Sequence, residues 1–419
     1  MNITFVLPDS TVLSGVVTWS VKMANQLSGR GRGAYLIVHN LSDSRIEPKP
    51  EEGVGIISCN SKPATEANLS DIIQYQTEYE QMLPSIIVPN WSPATYATCA
   101  TILSNGDKPL VVLGYVHSDD ASYYDLLTYY EPIISRFVAV SAEIADRLTT
   151  LIPHRRDDIA IKPYAVDVPA RLGRTYSSEE EPLRLLYAGR LDENQKRVSD
   201  LIRLAKALST REVNFELRIA GEGPVRPALA RQIQALDDSV RDRVKLTGLI
   251  PYEKMPEAWT RSDICVLVSG YEGTSVAMLE GMAHGCVPVV TQVSGTREVI
   301  EPGVNGFAVK VGDLAEMADV ITKLATNRGK LTEVGYQAYT TILNRYSYDR
   351  YVDWFLAFTK DLERQIPRMW PGDRPLLAFQ TTRYSRHLLN ILKQLGLDRY
   401  GTTWVIVRRL RKLKQALGA

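Results

Sequence analysis

Two carboxylates flank a small-residue turn in the stretch Glu272-Gly-Thr-Ser-Val-Ala-Met-Leu-Glu280. A strand-like run precedes this stretch and an apolar helical pattern continues through it, so Gly273, Thr274 and Ser275 would open the helix. The free backbone N–H groups and the dipole of a helix start favour a phosphate or another anion. The sequence therefore predicts an anion site whose ligand also carries hydroxyl groups for the carboxylates.

The spacing of these two carboxylates argues against a shared acid–base role. Eight residues of helix rise about 12 Å, so Glu272, before the helix, and Glu280, within it, would contact different parts of one extended ligand. The neighbours of Glu280 in the sequence are apolar, and a buried carboxylate needs hydrogen-bonding partners. The structural alternative is that Glu272 caps the helix and Glu280 lies on the surface.

Two basic side chains, Arg190 and Lys196, follow another strand-like run, which Gly189 closes. Ligands of α/β proteins bind at the carboxyl ends of the strands. An Arg can hold phosphate oxygens with two parallel hydrogen bonds, and a Lys adds a mobile point charge. The pair would neutralise a diphosphate without a metal. Arg197 could compete with Lys196 for this role, and solvated surface charge is the alternative for all three.

Several other residues are weaker signals when taken singly. Gly15 lies between a strand pattern and a helix, where glycine lets a phosphate or sugar approach the backbone, but no Gly-x-Gly-x-x-Gly fingerprint is present. Gly221 and Gly223 form another turn at a strand end. His117 follows a strand too, although a lone histidine is more often structural. Tyr252 could face a nucleotide base or pack in the core.

Short β-branched runs alternate with helical patterns along most of the chain. Two successive βα series predict an α/β fold with two doubly wound, Rossmann-like parallel-sheet domains. The predicted strands are Ile3–Leu7, Ala34–Val38, Gly55–Ile57, Ile86–Val88, Leu110–Tyr115, Phe137–Val140, Leu183–Ala188, Phe215–Ala220, Val244–Thr247, Ile264–Val268 and Val287–Thr291. The predicted helices are Thr18–Leu27, Ser70–Glu80, Ala142–Thr149, Arg197–Leu208, Arg226–Leu236 and Met278–His284.

The same patterns predict the domain limits. Residues 1–170 would form the first domain and residues 182–345 the second, joined by the polar, unpatterned segment Pro169–Pro182. An aromatic-rich helix at about 346–364 would cross back and complete the first domain. Residues 365–419 follow as a basic helical extension.

Composition excludes several classes of protein. A chain of 419 residues, 45% hydrophobic and 23% charged, is typical of a globular protein with two domains. Its four cysteines form no Cys-x-x-Cys pair, which disfavours metal or redox use and indicates reduced thiols in a cytoplasmic protein. The N-terminus lacks a signal-peptide pattern, and no apolar run reaches the roughly 18 residues that would predict a membrane-spanning helix.

Charge is unevenly distributed along the chain. Residues 364–419 contain 12 Lys and Arg but 2 Asp and Glu, so they carry +10 while the rest carries −9 of the total of +1. Leucines alternate with cations in Arg408–Lys414, and Trp370 and Trp404 could lie at lipid headgroups, so peripheral binding to an anionic membrane is one prediction. A helix packed on the body with a solvated basic face is the equal alternative. No motif supports nucleic-acid binding.

Taken in order, these motifs resemble those of the retaining GT-B glycosyltransferases of the family 4 type. The resemblance runs from about residue 1 to residue 362 and is specific only in the second half. The matching positions are Gly15, His117, Val140-Ser141, Gly189-Arg190, Lys196, Gly221-Glu-Gly-Pro224, Gly248, Glu272, Glu280, Gly285-Cys-Val-Pro288, Glu298-Val-Ile300 and Gly303-Val-Asn-Gly306. The chain departs from the family in having Ser14 where many members have glycine, and Pro163-Tyr-Ala-Val-Asp167 where many have Asn-Gly-Val-Asp.

The resemblance implies a role for each matching residue. Arg190 and Lys196 would bind the donor diphosphate, and Glu280 would bind the donor ribose. Glu272 would contact hydroxyls of the transferred sugar, and His117, from the first domain, would line that sugar near the reaction centre. The remaining donor-binding positions would be Gly15, Gly189, Gly221, Gly223, Leu249, Gly273, Thr274 and Ser275.

The implied reaction moves a sugar from a UDP- or GDP-sugar to an acceptor hydroxyl with retained configuration, in cell-surface glycan or glycolipid synthesis. No cofactor or essential metal is expected, and the acceptor would be a sugar or a lipid-linked glycan. Asn90-Trp91 and Tyr123-Tyr124 are candidates for acceptor contacts, while the sugar, the base and the acceptor stay open. The alternatives are a nucleotide-sugar epimerase or hydrolase on the same fold, and a non-catalytic nucleotide-sugar-binding subunit.

Overall fold

The computed structural model describes residues 1–7, 14–39, 46, 48–59, 69–104, 108–372, 374 and 376. The predicted basic helix around Arg408–Lys414, and Trp404, lie outside these residues. The prediction that Trp370 lies at lipid headgroups is wrong, because this residue is 4% exposed and its ring lies 5.3 Å from that of Tyr130. Within the described part of the chain, no helix is both long enough and apolar enough to cross a bilayer.

The described strands form two sheets in which every neighbouring pair is parallel. The first sheet has the order β3-β2-β1-β4-β5-β6-β7 and the second has the order β10-β9-β8-β11-β12-β13. The strands are β1 (Asn2–Leu7), β2 (Ala34–His39), β3 (Val54–Cys59), β4 (Ser85–Val88), β5 (Leu110–Val116), β6 (Ile134–Ala139), β7 (Ile159–Ile161), β8 (Leu183–Ala188), β9 (Phe215–Ala220), β10 (Val244–Gly248), β11 (Ile264–Leu267), β12 (Val287–Thr291) and β13 (Phe307–Val309). The prediction of two doubly wound parallel sheets is confirmed.

Helices cover both faces of each sheet, which explains why the central strands are apolar along their whole length. All of β5, β11 and β12 is buried. The helices are α1 (Gly15–Gly29), α2 (Leu69–Tyr79), α3 (Pro93–Ile102), α4 (Ala121–Tyr129), α5 (Ala142–Leu151), α6 (Ser199–Thr210), α7 (Arg226–Gln234), α8 (Asp238–Arg241), α9 (Met255–Thr260), α10 (Val276–Ala283), α11 (Thr296–Val299), α12 (Leu314–Ala325), α13 (Arg328–Arg345) and α14 (Tyr348–Lys360).

Serine side chains fix the starts of the helices that face the other domain. Ser14 accepts a hydrogen bond from the Val17 backbone N–H at the start of α1, and Ser275 does the same for Met278 in α10. Such caps satisfy one of the free N–H groups of the first turn and so determine where a helix begins. Both helices begin where a parallel strand has just ended, at the edge of the sheet where α/β ligands bind.

Helix α14 returns to the first sheet, and the segment before it packs beside the linker. The ring of Phe355 lies 6.2 Å from that of Phe5 in β1, and Arg30, after α1, forms ion pairs with Asp349 and Asp353. The Val166 N–H donates to the Tyr346 carbonyl. Residues 346–364 therefore lie against the first sheet, whereas the exact domain limits stay a prediction.

A buried carboxylate ties the linker to the second sheet. Asp263 accepts hydrogen bonds from the Ser177 hydroxyl at 2.7 Å and from Arg184 Nη2 at 2.7 Å. Burial alone would raise the pKa of Asp263, but the hydrogen bonds from Arg184 and Ser177 outweigh it and hold the pKa below its usual value. The linker is therefore fixed to the second domain by a charged network rather than by apolar packing alone.

Candidate active site

Glycine lets the backbone segments at the carboxyl ends of β8, β9 and β10 touch one another. Gly221 has φ of 143°, and a Cβ on it would lie 1.8 Å from the Gly189 carbonyl oxygen. A Cβ on Gly223 would lie 2.2 Å from the Leu191 carbonyl oxygen. The Gly221 N–H donates to the Gly248 carbonyl at 2.8 Å. These glycines form the floor of the cleft by close backbone contact, and their contact with a donor stays a prediction.

The turn before α10 lies at the contact between the two domains. A Cβ on Gly273 would lie 2.2 Å from the His117 carbonyl oxygen, so only glycine fits there. The Thr274 hydroxyl donates to the Val140 carbonyl, and the Asp119 N–H donates to the Glu272 carbonyl at 3.1 Å. The predicted Gly273–Ser275 turn is thus held between its own sheet and residues that follow β5 and β6.

Two helix N-termini face each other across this contact. A Cβ on Gly15, the first residue of α1, would lie 3.2 Å from Cγ2 of Val276, the first residue of α10. The positive ends of both helix dipoles are therefore adjacent, and they come from different domains. Adjacent helix starts of this kind favour an anion such as a diphosphate beside them.

Lys196 and Glu272 form an ion pair beside these helix starts. Lys196 Nζ contacts Glu272 Oε1, which also accepts a hydrogen bond from the Ser269 hydroxyl at 2.7 Å. Glu272 is only 7% exposed, so the pairing is what makes its burial tolerable. Two sequence-predicted site residues are thereby brought into direct contact.

Gln195 connects Arg190 to this pair. Its Oε1 accepts a hydrogen bond from Arg190 Nη2 at 2.8 Å, while its Nε2 lies 3.5 Å from Glu272 Oε2. Arg190 itself is exposed and lies at the end of β8. The sequence analysis missed Gln195, whose only signal was its place between two predicted phosphate-binding cations.

Arg197, the possible competitor of Lys196, points elsewhere. Its Nη2 lies 2.7 Å from Asp200 Oδ2, and its Nε donates to the same oxygen at 2.8 Å. The backbone at Arg197 has φ of 51°, so successive side chains diverge at this point. Lys196 therefore contacts Glu272, whereas Arg197 is engaged at the start of α6.

His117 is enclosed by aromatic rings, and both of its nitrogens are hydrogen-bonded. The Asn90 amide donates to the Val6 carbonyl at 2.6 Å, so its Oδ1 is the atom that faces His117 Nε2, at 2.7 Å. His117 Nε2 must then carry the proton, and Nδ1 accepts from the Tyr164 hydroxyl. Burial lowers the pKa of His117 to about 3, so the ring is neutral. A side-chain contact with a sugar would require one of these hydrogen bonds to break.

Glu280 lies in a second cluster, farther along the cleft. Burial is the main cause that raises the pKa of Glu280 to about 7, and the charge of Asp167 adds to this increase. The Trp259 indole and the charge of Lys22 oppose it. Lys22 Nζ pairs with Asp167 Oδ2 at 2.9 Å, and the Tyr252 hydroxyl donates to the same oxygen at 3.1 Å. The sequence analysis did not identify Lys22 or assign a role to Asp167.

The structure also gives the positions of Leu249 and of the residues predicted to contact the acceptor. Leu249 follows β10 and is 48% exposed. Asn90 supports His117, while the rings of Trp91 and Tyr123 lie 6.4 Å apart. The Tyr124 hydroxyl donates to Asp119 Oδ1 at 2.7 Å. Among the described residues, no group of three or more His, Cys, Asp or Glu side chains could hold a metal ion.

Reciprocal helix capping joins the two domains beside the cleft. Glu298 Oε1 accepts from the Ala142 N–H at the start of α5, and Glu143 Oε2 accepts from the Gly295 N–H before α11, at 3.2 Å. The hydroxyls of Ser141 and Ser294 lie 2.6 Å apart. Each domain thus supplies a carboxylate to a helix start of the other, so the structure shows the domains in contact.

Comparison with known proteins agrees with this geometry. The family model "Glycosyl transferases group 1" matches residues 182–327, which contain Arg190, Lys196, Glu272 and Glu280. Alpha-D-kanosaminyltransferase of Streptomyces kanamyceticus is 34% identical over 155 residues, 37% of this chain and 39% of that protein. N-acetyl-alpha-D-glucosaminyl L-malate synthase of Bacillus anthracis is 27% identical over 169 residues, 40% of this chain and 43% of that protein.

Solved structures resemble nearly the whole chain. A glycosyltransferase from Rickettsia africae has a TM-score of 0.69 at 16% identity and covers 87% of this chain and 99% of its own. Anabaena HepE, solved in complex with UDP, has a TM-score of 0.68 at 17% identity and covers 86% of this chain and 100% of its own. At such low identity the likeness establishes the fold, which is GT-B.

The chain has the two-domain GT-B fold of glycosyltransferases, and its residues 182–327 match the glycosyl transferases group 1 family model. The resemblance to GT-B glycosyltransferases of the family 4 type is therefore confirmed, whereas retention of configuration stays a prediction. The matched segments span less than half of the two curated relatives named above.

Proposed function

We propose that this protein is a retaining glycosyltransferase that moves a sugar from a nucleotide diphosphate sugar to an acceptor hydroxyl. The observation that carries the proposal is the adjacency of the α1 and α10 N-termini beside the Lys196–Glu272 pair. The helix starts and Lys196 supply positive potential for a diphosphate, and the Glu272 carboxylate can accept hydrogen bonds from sugar hydroxyls in the same cleft. The curated relatives named as glycosyltransferases support the same reaction class.

In the proposed reaction the bond between the sugar C1 and the β-phosphate oxygen breaks while the acceptor oxygen bonds to C1. The negative charge on the leaving nucleoside diphosphate grows in the transition state, and Arg190, Lys196 and the two helix starts are positioned to stabilise it. Attack occurs from the face that the phosphate leaves, and the phosphate oxygen takes the acceptor proton. Glu272 holds sugar hydroxyls, and domain contact excludes water from the cleft.

This mechanism assigns no step to a metal ion. The cationic side chains and helix dipoles supply the charge that a divalent ion supplies in other enzymes. His117 is neutral, hydrogen-bonded on both ring nitrogens and buried, so it supports the wall of the sugar subsite rather than transferring a proton. Its carbonyl faces the Gly273 turn, through which it positions the start of α10.

We further propose cell-surface glycan synthesis as the setting, with a sugar or lipid-linked glycan as acceptor. Relatives named for amylovoran synthesis in Erwinia amylovora and for lipopolysaccharide galactosyl transfer in Escherichia coli support this choice. Peripheral binding to the inner face of the membrane through residues 365–419 is the matching localisation. Co-sedimentation with anionic vesicles tests it, because unchanged binding after removal of these residues would refute a membrane role for the tail.

A donor screen tests the reaction class. Purified protein is incubated with UDP- and GDP-sugars, with and without candidate acceptors, and nucleoside diphosphate release and the glycoside product are both measured. A transferase releases nucleotide and forms a glycoside with acceptor present. Release without transfer, or an isomerised sugar, would instead support the hydrolase or epimerase alternative. Donor binding without any release would support a non-catalytic subunit.

A further inference from the structure

A charged cluster beside Glu280 contains a side chain from the first domain. Lys22, on α1, pairs with Asp167 Oδ2 at 2.9 Å and lies 5.4 Å from the ring centroid of Tyr252. Tyr252 belongs to the segment after β10, and its hydroxyl donates to the same Asp167 oxygen. The charge of Lys22 also lowers the pKa of Glu280, and Asp167 acts on both Glu280 and Tyr252.

The geometry of α1 explains how Lys22 reaches this place. Gly15 and Lys22 are seven residues apart, which is almost two full turns, so they lie on the same face of the helix about 10 Å apart. Gly15 contacts the start of α10, while Lys22 pairs with Asp167, whose charge also acts on Glu280 farther along α10. Helix α1 therefore runs along the cleft from the adjacent helix starts to the Glu280 cluster.

A nucleoside diphosphate has the same linear arrangement, with phosphates at one end and ribose and base at the other. With its phosphates at the helix starts, its nucleoside would lie at the Glu280 cluster, where Lys22 faces it. We propose that Lys22 is a donor-recognition residue supplied by the first domain, and that its ammonium group hydrogen-bonds the nucleoside of the bound donor beside Glu280. This inference rests on the proposed function, since it concerns the same donor.

The present partners of Lys22 can be exchanged for a donor at low cost. Its side chain is 20% exposed and that of Asp167 is 53% exposed, so solvent screens their pairing. Exposed ion pairs of this kind contribute little to stability, and the lysine stem rotates freely enough to reach a new acceptor. When Lys22 turns to the donor, the Tyr252 hydroxyl still satisfies Asp167. The cluster thus keeps Lys22 near the cleft without fixing it there.

The test compares ligands that differ only in the nucleoside. Calorimetric affinities for UDP, GDP and inorganic pyrophosphate are measured for the wild type, Lys22→Met and Lys22→Arg. Lys206→Met on the exposed face of α6 is the matched control. We expect Lys22→Met to weaken binding of the preferred nucleotide between about tenfold and a hundredfold, the range for a lost hydrogen bond to a charged group. Pyrophosphate affinity should stay unchanged, and Lys22→Arg should restore most of the nucleotide affinity.

Each other outcome has a distinct meaning. Equal nucleotide affinity in the wild type and Lys22→Met overturns this inference alone. Equal loss for nucleotide and pyrophosphate also overturns it, because Lys22 would then act on the phosphates or on domain contact. A wild-type protein that binds neither UDP nor GDP overturns the proposed function and this inference together.

Discussion

Ionisation of Glu280 should control donor affinity between pH 6 and pH 8. Its pKa is raised to about 7, first by burial, with Trp259 and Lys22 opposing the shift and Asp167 adding to it. The neighbours Tyr252, Tyr348 and Cys265 have pKa values raised by burial above their ordinary values, so they stay protonated in this range. Burial lowers the pKa of His284, which hydrogen-bonds the Glu280 carbonyl, and so favours its neutral form. An ionised carboxylate accepts hydrogen bonds from two ribose hydroxyls, whereas the protonated acid loses acceptor capacity.

The magnitude follows from the position of this pKa. If binding requires the carboxylate, the dissociation constant is multiplied by one plus the ratio of protonated to ionised Glu280. With a pKa of about 7, affinity should fall about tenfold from pH 8 to pH 6. Glu280→Gln should bind donor more weakly at pH 8 and show no such slope, since its side chain does not titrate.

The raised pKa of Glu280 also predicts that the folded protein loses stability as pH rises, although donor affinity increases. The folded protein binds the Glu280 proton more tightly than the unfolded chain, so this contribution is fully present below the unfolded pKa of 4.5 and is lost as pH rises through about 7. The loss amounts to about 3 kcal/mol at pH 8, at roughly 1.4 kcal/mol per pKa unit. Glu280→Gln should therefore raise the thermal midpoint at pH 8, and this gain should nearly vanish at pH 5.

The assay combines UDP or GDP calorimetry at pH 6, 7 and 8 with thermal unfolding at pH 5 and pH 8. Glu333→Gln is a suitable control, because this exposed glutamate on α13 lies in a surface pair with Lys330. The reasoning fails if wild-type affinity is flat with pH while Glu280→Gln is destabilised at pH 8. That result would mean that Glu280 is a fully ionised structural residue.

Three further expectations follow from the contacts in the cleft. Lys196→Met should lower the rate of nucleoside diphosphate release about 10²- to 10³-fold, because Lys196 lies beside Glu272 in the candidate site. Arg197→Met should change this rate little, because Arg197 pairs with Asp200 instead. Equal effects of the two variants would contradict the assignment. Gly221→Ala should abolish soluble expression, because its Cβ would overlap the Gly189 carbonyl oxygen. Gly173→Ala should not, because a Cβ there meets no atom within 4 Å. Dialysis against a chelator should leave turnover unchanged. A loss of turnover that is restored by adding Mg²⁺ or Mn²⁺ would refute the metal-free mechanism.

The sequence predicted the fold well because most strands of both sheets are apolar, β-branched runs that alternate with helical patterns. It missed β7 and β13, which are only three residues long and too short for a pattern. It also missed α3, because this helix is buried on nearly all sides and so has no polar face to give a helical period. The start of α1 lay earlier than predicted, since Ser14 caps it and brings Gly15 to the first helical position.

The candidate site was predictable where one chain segment holds the information. Arg190, Lys196 and Glu272 follow strand ends, and Glu280 lies within the helix that comes next. These positions indicate a ligand site at the carboxyl edge of the sheet. Lys22 was not predictable, because its importance depends on which face of α1 the second domain covers. The environment of His117 was equally hidden, since Asn90 and Tyr164 come from distant parts of the chain and occupy both ring nitrogens.

The cleft satisfies two of its cations with carboxylates before any donor binds. Lys196 pairs with Glu272 at the phosphate end, and Lys22 pairs with Asp167 at the nucleoside end. Neither lysine is then left unpaired in a partly buried position, where an isolated charge is costly. Donor binding becomes an exchange of partners, in which phosphate oxygens compete for Lys196 while sugar hydroxyls can donate to Glu272. Asp167 keeps the Tyr252 hydroxyl, but Glu272 can replace Lys196 only with a ligand that carries sugar hydroxyls beside its phosphates. The Lys196–Glu272 pair should therefore favour a complete nucleotide sugar over free phosphate.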